Sequence, residues 1–428
     1  MNPIEAEHKI ALAERLSTLE PYPPGRFAGR GIVICAGGVS IFTNAYVLIH
    51  VLRRHFHCRL PIELWHFGPA EVSPRMRALA RELDVETIDA HAVFAENSTH
   101  LIDGWQLKIY ALMWSRFEQV LLLDADIVPT RDPACVFDWP EFAATGAVLW
   151  PDIVDLAVDN FIWAACGLEP RAMAGIESGQ VLLDKARHWG ALQVTLHLNE
   201  RAKYYYQIIY GDKETWLLGL MLTGSPYALV PHRPATDGWH CLYQRDFQGE
   251  ALFQHRTGSK WRYAGAQIQL ADFVAGAACQ AALEDLRAKW NGLVFNPPPR
   301  EPVARGVEIE LARQAIFDWV SPGRAPERIE LLSDGEIGIG RSADRLNWHC
   351  ECDASHVRLV LRDAFDARWR FARVDEDRWH GHAVADRAHE AFLRATPVDA
   401  HADPGARETV RPAWPMDGGY SPQKEALL

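Results

Sequence analysis

Leu121-Leu122-Leu123-Asp124-Ala125-Asp126 is a short apolar run that ends in two carboxylates one residue apart. A strand buried on both faces cannot hold ionised carboxylates inside it, so Asp124 and Asp126 must emerge at its C-terminal end. In open α/β sheets that edge is where ligands bind. Alternate residues of an extended segment project to one side, so both carboxylates can converge on one hard cation. Without a cation between them they repel. A turn or helix-capping pair after a strand is the plainer reading of the tripeptide taken alone.

The flanking sequence supports a parallel sheet. Gly31 to Ala36 is a compact apolar strand closed by Gly37-Gly38, which lacks the spacing of a Walker A or dinucleotide fingerprint. A helical stretch from about Thr43 to His57 follows, then a strand (Ile62 to Phe67), a helix (Pro74 to Leu83) and a strand (Val85 to Asp89). A helix from Trp105 to Ser115 leads into the strand Val120 to Leu123. Strands alternating with helices at this pace argue for βαβ units. Further strands run from Gly146 to Trp150 and over Val181 to Leu183, and 188–222 reads as mainly helical. Beyond about residue 327, short alternating runs parted by Asp, Gly or Asn turns predict an antiparallel β module, a meander or sandwich.

The resulting division is an N-terminal helix and linker (1–29), an α/β domain (30–295), a linker and helix (296–326), a small β-rich domain (327–395) and a mobile tail (396–428). A chain of 428 residues is long enough for two cores. Its 48% hydrophobic and 23% charged residues are those of a globular protein, and a net charge of −12 argues against a general nucleic-acid binder. The eight cysteines are scattered without zinc-type spacing and read as buried thiols. No apolar run has signal-peptide or membrane length, so the expected location is cytoplasmic; a Golgi lumenal one would need an anchor outside this sequence.

Three further segments bear on the acidic pair. Phe253 to Trp261 places His255 and Lys260 around a Gly turn. His255 could complete a mixed oxygen and imidazole site suited to Mn²⁺ or Mg²⁺, and Lys260 could neutralise a departing phosphate. Lys108, on the helix leading into the acidic strand, offers a second cation. Glu177-Ser178-Gly179-Gln180 and Gly211-Asp212-Lys213-Glu214-Thr215 are polar clusters at the ends of apolar elements, where clefts are lined, although Asp212 could equally be a helix cap.

These blocks, together with Ile34-Cys35-Ala36-Gly37-Gly38, Asn44 to Ile49, Leu60 to His66, Gly104-Trp105-Gln106-Leu107-Lys108, Asp132-Pro133, Trp150-Pro151-Asp152-Ile153 and Gln254-His255-Arg256, resemble the fungal Golgi α-mannosyltransferase family over about residues 30–262. The resemblance implies a GT-A nucleotide-sugar-binding fold and retaining transfer of mannose from GDP-mannose to a sugar or glycan. The motif order is also similar to glycogenin-like retaining transferases, in which Asp-x-Asp and a later His hold Mn²⁺ and a following Lys contacts the diphosphate. Carried onto this chain, those positions are Asp124, Asp126, His255 and Lys260, with Lys108 as a second phosphate contact. The chain departs from that family in lacking a membrane anchor and in carrying the extra β domain, as a soluble bacterial relative would.

On this reading Asp124, Ala125, Asp126, Lys108 and Lys260 face the diphosphate, Ala36, Gly37 and Gly38 seat the base and ribose, and Asp152 orients sugar hydroxyls. The group beside the anomeric carbon is expected to be Asp212, followed by Gln180, Glu177 and Glu214. A UDP-sugar-dependent transferase of the same fold is the nearest alternative. A haloacid-dehalogenase-type phosphohydrolase would use Asp124 as nucleophile and Asp126 as acid, but here Ile127-Val128-Pro129 follows the pair in place of a Gly-Thr turn. A non-catalytic glycan-binding protein would use Trp348, Trp369 and Trp379 of the β module.

Overall fold

The computed structural model describes residues 3–68, 71–97, 104–238, 240–292, 294, 302–314, 316–332, 335–340, 342, 345, 347–353, 356–362, 367–375, 378–385 and 389–396. The expected 296–300 linker and nearly all of the expected tail lie outside them. The chain divides into two compact units, Met1–Val294 and Phe295–Leu428.

In the first unit the strands are β1 (Arg30–Cys35), β2 (Ile62–His66), β3 (Val85–Asp89), β4 (Gln119–Asp124), β5 (Ile127–Pro129), β6 (Ala147–Leu156), β7 (Met173–Asp184), β8 (Ala228–Leu229), β9 (Ala235–Thr236), β10 (Leu242–Arg245) and β11 (Ala251–His255). Seven of them form one sheet in the order β3-β2-β1-β4-β7-β6-β8. β1 to β4 run parallel, and β7 lies antiparallel to β4. Val120 to Leu123 are fully buried, as a central strand packed on both faces requires. One face is covered by the helices Gln106–Trp114, Lys185–Glu200 and Lys213–Leu222, whose apolar residues join Val33, Leu122 and Val181 in a single core. Val47 and Val51 pack with Val128, Trp261 and the helix Gly276–Lys289 in another.

A small second sheet, β5-β11-β10-β9, branches from the end of β4. It places His255 opposite Ile127, one residue beyond Asp126. The N-terminal helix Pro3–Ser17 buries Leu12 in a cluster with Val194, Leu198 and Tyr205. Cys58, Cys166, Cys241, Cys279 and Cys350 are buried free thiols.

In the second unit a helix, Pro302–Gln314, accompanies β12 (Ile316–Val320), β13 (Glu327–Glu330), β14 (Asn347–Asp353), β15 (His356–Arg362), β16 (Ala367–Arg373), β17 (Arg378–Ala383) and β18 (Glu390–Ala395). They form a single antiparallel sheet, β13-β12-β18-β17-β16-β15-β14, rather than a sandwich. β12 falls in the stretch read from sequence as linker and helix. Its only deeply buried residues are Phe317 and Trp319, an alternation too brief to stand out beside a helical pattern. Trp348 and Trp379 lie in this unit's core, and Trp369 packs on Trp319 at 4.7 Å. With Trp348 and Trp379 buried and Trp369 half-buried against Trp319, the glycan-binding reading finds no fully exposed ring among the three.

Candidate active site

Sheet register assembles the site. Asp124 ends β4 beside Cys35, and the chain turns through Ala125-Asp126 into β5. β11 pairs antiparallel to β5, and Arg256 N–H donates to the Asp126 carbonyl at 3.0 Å. Carboxylate oxygens of Asp124 and Asp126 and a ring nitrogen of His255 therefore lie within 4.8 Å of one another. His255 Nε2 stands 3.2 Å from Asp126 Oδ1, and its Nδ1 stands 3.3 Å from Glu177 Oε1. A carboxylate behind the ring is the usual way to orient an imidazole toward a metal position. Two carboxylates and an imidazole are a donor set that fits Mn²⁺ or Mg²⁺.

Three ammonium groups balance part of the negative charge. Lys108 Nζ lies 3.1 Å from Asp124 Oδ1, 3.2 Å from Asp212 Oδ2, and 3.1 Å from both the carbonyl and the Oγ of Ser178. Burial alone would pull this ammonium down, but Asp124 and Asp212 outweigh it and hold the group above its usual range. Lys260 pairs with Asp126. Lys213 Nζ bridges Asp152 Oδ2 at 2.8 Å and Glu177 Oε2 at 2.9 Å. The five carboxylates of Asp124, Asp126, Asp152, Glu177 and Asp212 thus face three ammonium groups, a formal excess of two negative charges that a divalent cation would cancel.

The remaining expected residues separate into different positions. Asp212 precedes the helix Lys213–Leu222 but makes no side-chain cap, so the capping reading fails. Its Oδ2 instead faces Lys108 and accepts from Trp216 Nε1 at 3.0 Å. Gln180 is fully buried opposite Leu123, and neither its Oε1 nor its Nε2 meets a hydrogen-bonding partner. A buried amide left unpaired costs about 1–3 kcal/mol, which a bound polar group would recover. Glu214 is buried with Oε2 unpartnered, and burial pushes its carboxyl up to about 7. Ala36 is buried with its N–H bonded to Trp65 O, and the space beside Gly37 is filled by the Glu71 side chain.

Two positioning residues carry a weaker sequence signal. Asn44 sits inside an apolar helix and grips Trp261 by both backbone groups, Nδ2 to O at 3.0 Å and N–H to Oδ1 at 2.8 Å. Arg256 is buried, donates to Ser259 O at 2.7 Å and stacks on Trp261 at 3.9 Å. Together they shape the turn that returns Lys260 to Asp126. Both residues stand in blocks that carry the family resemblance, and a polar residue within an apolar helical face is a further clue for Asn44.

A Rossmann-like sheet with a reversed strand beside β4, and an acidic strand end met by a histidine from a small second sheet, define the GT-A glycosyltransferase class. The mannosyltransferase family model Mannosyl_trans3 matches residues 29–167 and 168–256, and the chain belongs to that family. The alpha-1,2-mannosyltransferase MNN2 of Saccharomyces cerevisiae is 24% identical over 319 residues, covering 63% of this chain and 53% of its own length. The alpha-1,2-mannosyltransferase MNN21 of Candida albicans is 24% identical over 299 residues, covering 55% and 44%. The chain therefore spans about half the length of these curated relatives. The solved mannosyltransferase Ktr4p from S. cerevisiae is 12% identical with a TM-score of 0.32, covering 54% of this chain and 77% of that one. Among the described residues no helix is long and apolar enough to cross a membrane.

Proposed function

We propose that this chain transfers a hexose, mannose from GDP-mannose, to a sugar or glycan acceptor with retention of configuration, using Mn²⁺ or Mg²⁺ at Asp124, Asp126 and His255. The observation that carries this reading is the convergence of those three residues within 4.8 Å, bracketed by Lys108 and Lys260. A cation bound there would supply Lewis-acid charge to the diphosphate oxygens. With a cation on Asp126, the Lys260 ammonium would turn toward the departing phosphate, while Lys108 would add its positive charge from its place between Asp124 and Asp212. The bond from the anomeric carbon to the phosphate oxygen breaks and the acceptor oxygen bonds that carbon on the same face. Its proton passes to the leaving diphosphate.

The unpartnered Gln180 amide is the better candidate than Asp212 to face the electron-poor sugar, since the Asp212 carboxylate is already held by Lys108 and Trp216. Asp152 and Lys213, paired at 2.8 Å, would bind sugar hydroxyls. The mannosyl donor rests on family membership and the relatives' names. UDP-sugar use is the alternative within the same fold, while family membership displaces the phosphohydrolase reading. The test is incubation with GDP-mannose or UDP-hexoses, an α-mannobiose acceptor and Mn²⁺, with NMR of the product anomer. A metal-dependent α-mannoside made from GDP-mannose is expected. A β-linked product, or transfer from UDP-hexose alone, would contradict the reading.

A further inference from the structure

Three aromatic rings gather at a turn that the transfer chemistry does not use. Trp105 is 50% exposed and Tyr210 is 66% exposed, with ring centroids 6.0 Å apart. Tyr206 lies 6.3 Å from Trp105, its hydroxyl tied to Asn199. Gly211 has φ +66°, and a Cβ there would stand 2.7 Å from Trp105 Cε3, so the indole lies against the turn because that residue is glycine. Singly exposed aromatics are ordinary, but a converging group beside a cluster of charged side chains is not.

Position decides what this group faces. Trp105 immediately precedes the helix Gln106–Trp114 that carries Lys108, and the turn it touches carries Asp212. The rings thus adjoin the Lys108, Asp212 and Lys213 end of the cluster, which Glu177 joins to His255 by pairing with both Lys213 and the imidazole. Lys213 Nζ stands 5.4 Å from the Tyr210 ring centroid while it bridges Asp152 and Glu177. An aromatic floor edged by an ammonium and carboxylates suits a pyranose, whose C–H face packs on a ring while its hydroxyls meet the charged edge.

Resting on the proposed transfer, we infer that Trp105 and Tyr210 form the seat of the acceptor, binding a pyranose ring of the glycan that receives the sugar. The experiment follows quenching of intrinsic fluorescence by α-mannobiose in the full chain with GDP and Mn²⁺, and repeats it by saturation-transfer NMR in Trp105→Ala and Tyr210→Ala. The wild type is expected to bind saturably, and each variant about five- to tenfold more weakly. Trp105→Phe should keep most of the affinity, since it restores a ring. The thermal shift given by GDP with Mn²⁺ should be the same in all four proteins, which also shows that the variants are folded. Equal α-mannobiose affinity in wild type and both alanine variants, or none in any of them, would overturn the assignment. A missing GDP and Mn²⁺ shift alongside ring-dependent α-mannobiose binding would instead count against the transfer reaction while leaving the platform standing.

Discussion

Gly179 lies flat against the ring of His255: a Cβ on Gly179 would stand 2.7 Å from Nδ1 and 2.9 Å from Cε1. The same Cβ would come within 3.0 Å of Glu177 Oε1, which faces that ring nitrogen. A side chain there must displace the imidazole from Asp126. Gly179→Ala should therefore weaken Mn²⁺ binding about 10- to 100-fold, with far-UV circular dichroism unchanged. Manganese titration followed by electron paramagnetic resonance checks this, and unaltered affinity would remove His255 from the donor set.

Lys108 is the only ammonium shared by Asp124 and Asp212 among the described ion pairs. Lys108→Met leaves two adjoining carboxylates without their partner, a loss of about 3–5 kcal/mol when the site is buried. Part of that stability should return on adding Mn²⁺, because a cation at Asp124 relieves the same repulsion. Urea unfolding with and without Mn²⁺ reads both effects.

Glu214 sets a pH dependence of stability. Its folded carboxyl, raised by burial to about 7 from its ordinary 4.5, holds a proton that the unfolded chain has already released between those values. Stability from this group is fully present below about pH 4.5 and is lost as pH rises toward 7, amounting to about 3 kcal/mol. Glu214→Gln should abolish that component, so the variant gains on the wild type in melting temperature as pH goes from 5 to 8. An identical slope in both proteins would mean that Glu214 is ionised in the fold.

Asn44→Ala strands the N–H and carbonyl of Trp261 in a buried position. The expected loss is about 2–4 kcal/mol in urea unfolding. Lys260 immediately precedes Trp261 and shifts with its backbone, so Mn²⁺-dependent GDP affinity should fall as well.

Much of this architecture is legible in the residues. The apolar run into Asp124 and Asp126 marks a buried strand end because carboxylates inside a strand packed on both faces would have no charged partner, whereas at its end Asp126, though buried, meets His255 and Lys260. His255 and Lys260 were visible as a pair, but their approach to Asp126 depends on the pairing of β11 with β5, a contact between segments more than a hundred residues apart. Ala36 and Gly37 show the limit of local reasoning. Small residues mark close approach, yet what approaches Gly37 here is Glu71. β12 was hidden because two inward residues beside a helical pattern give no clear period. Gln180 stood second to Asp212 as the group beside the anomeric carbon; its unpaired amide becomes visible once the residues around it are in place.

In the proposed transfer Asp124 and Asp126 bind the nucleoside diphosphate through a divalent cation. Isothermal titration of GDP, with and without Mn²⁺, into wild type and Asp124→Asn/Asp126→Asn tests it most directly. Wild-type GDP binding is expected to strengthen at least tenfold with Mn²⁺, and the double variant to gain nothing from the metal. GDP binding of equal strength with and without Mn²⁺ in the wild type, or a full Mn²⁺ response in the double variant, would contradict it.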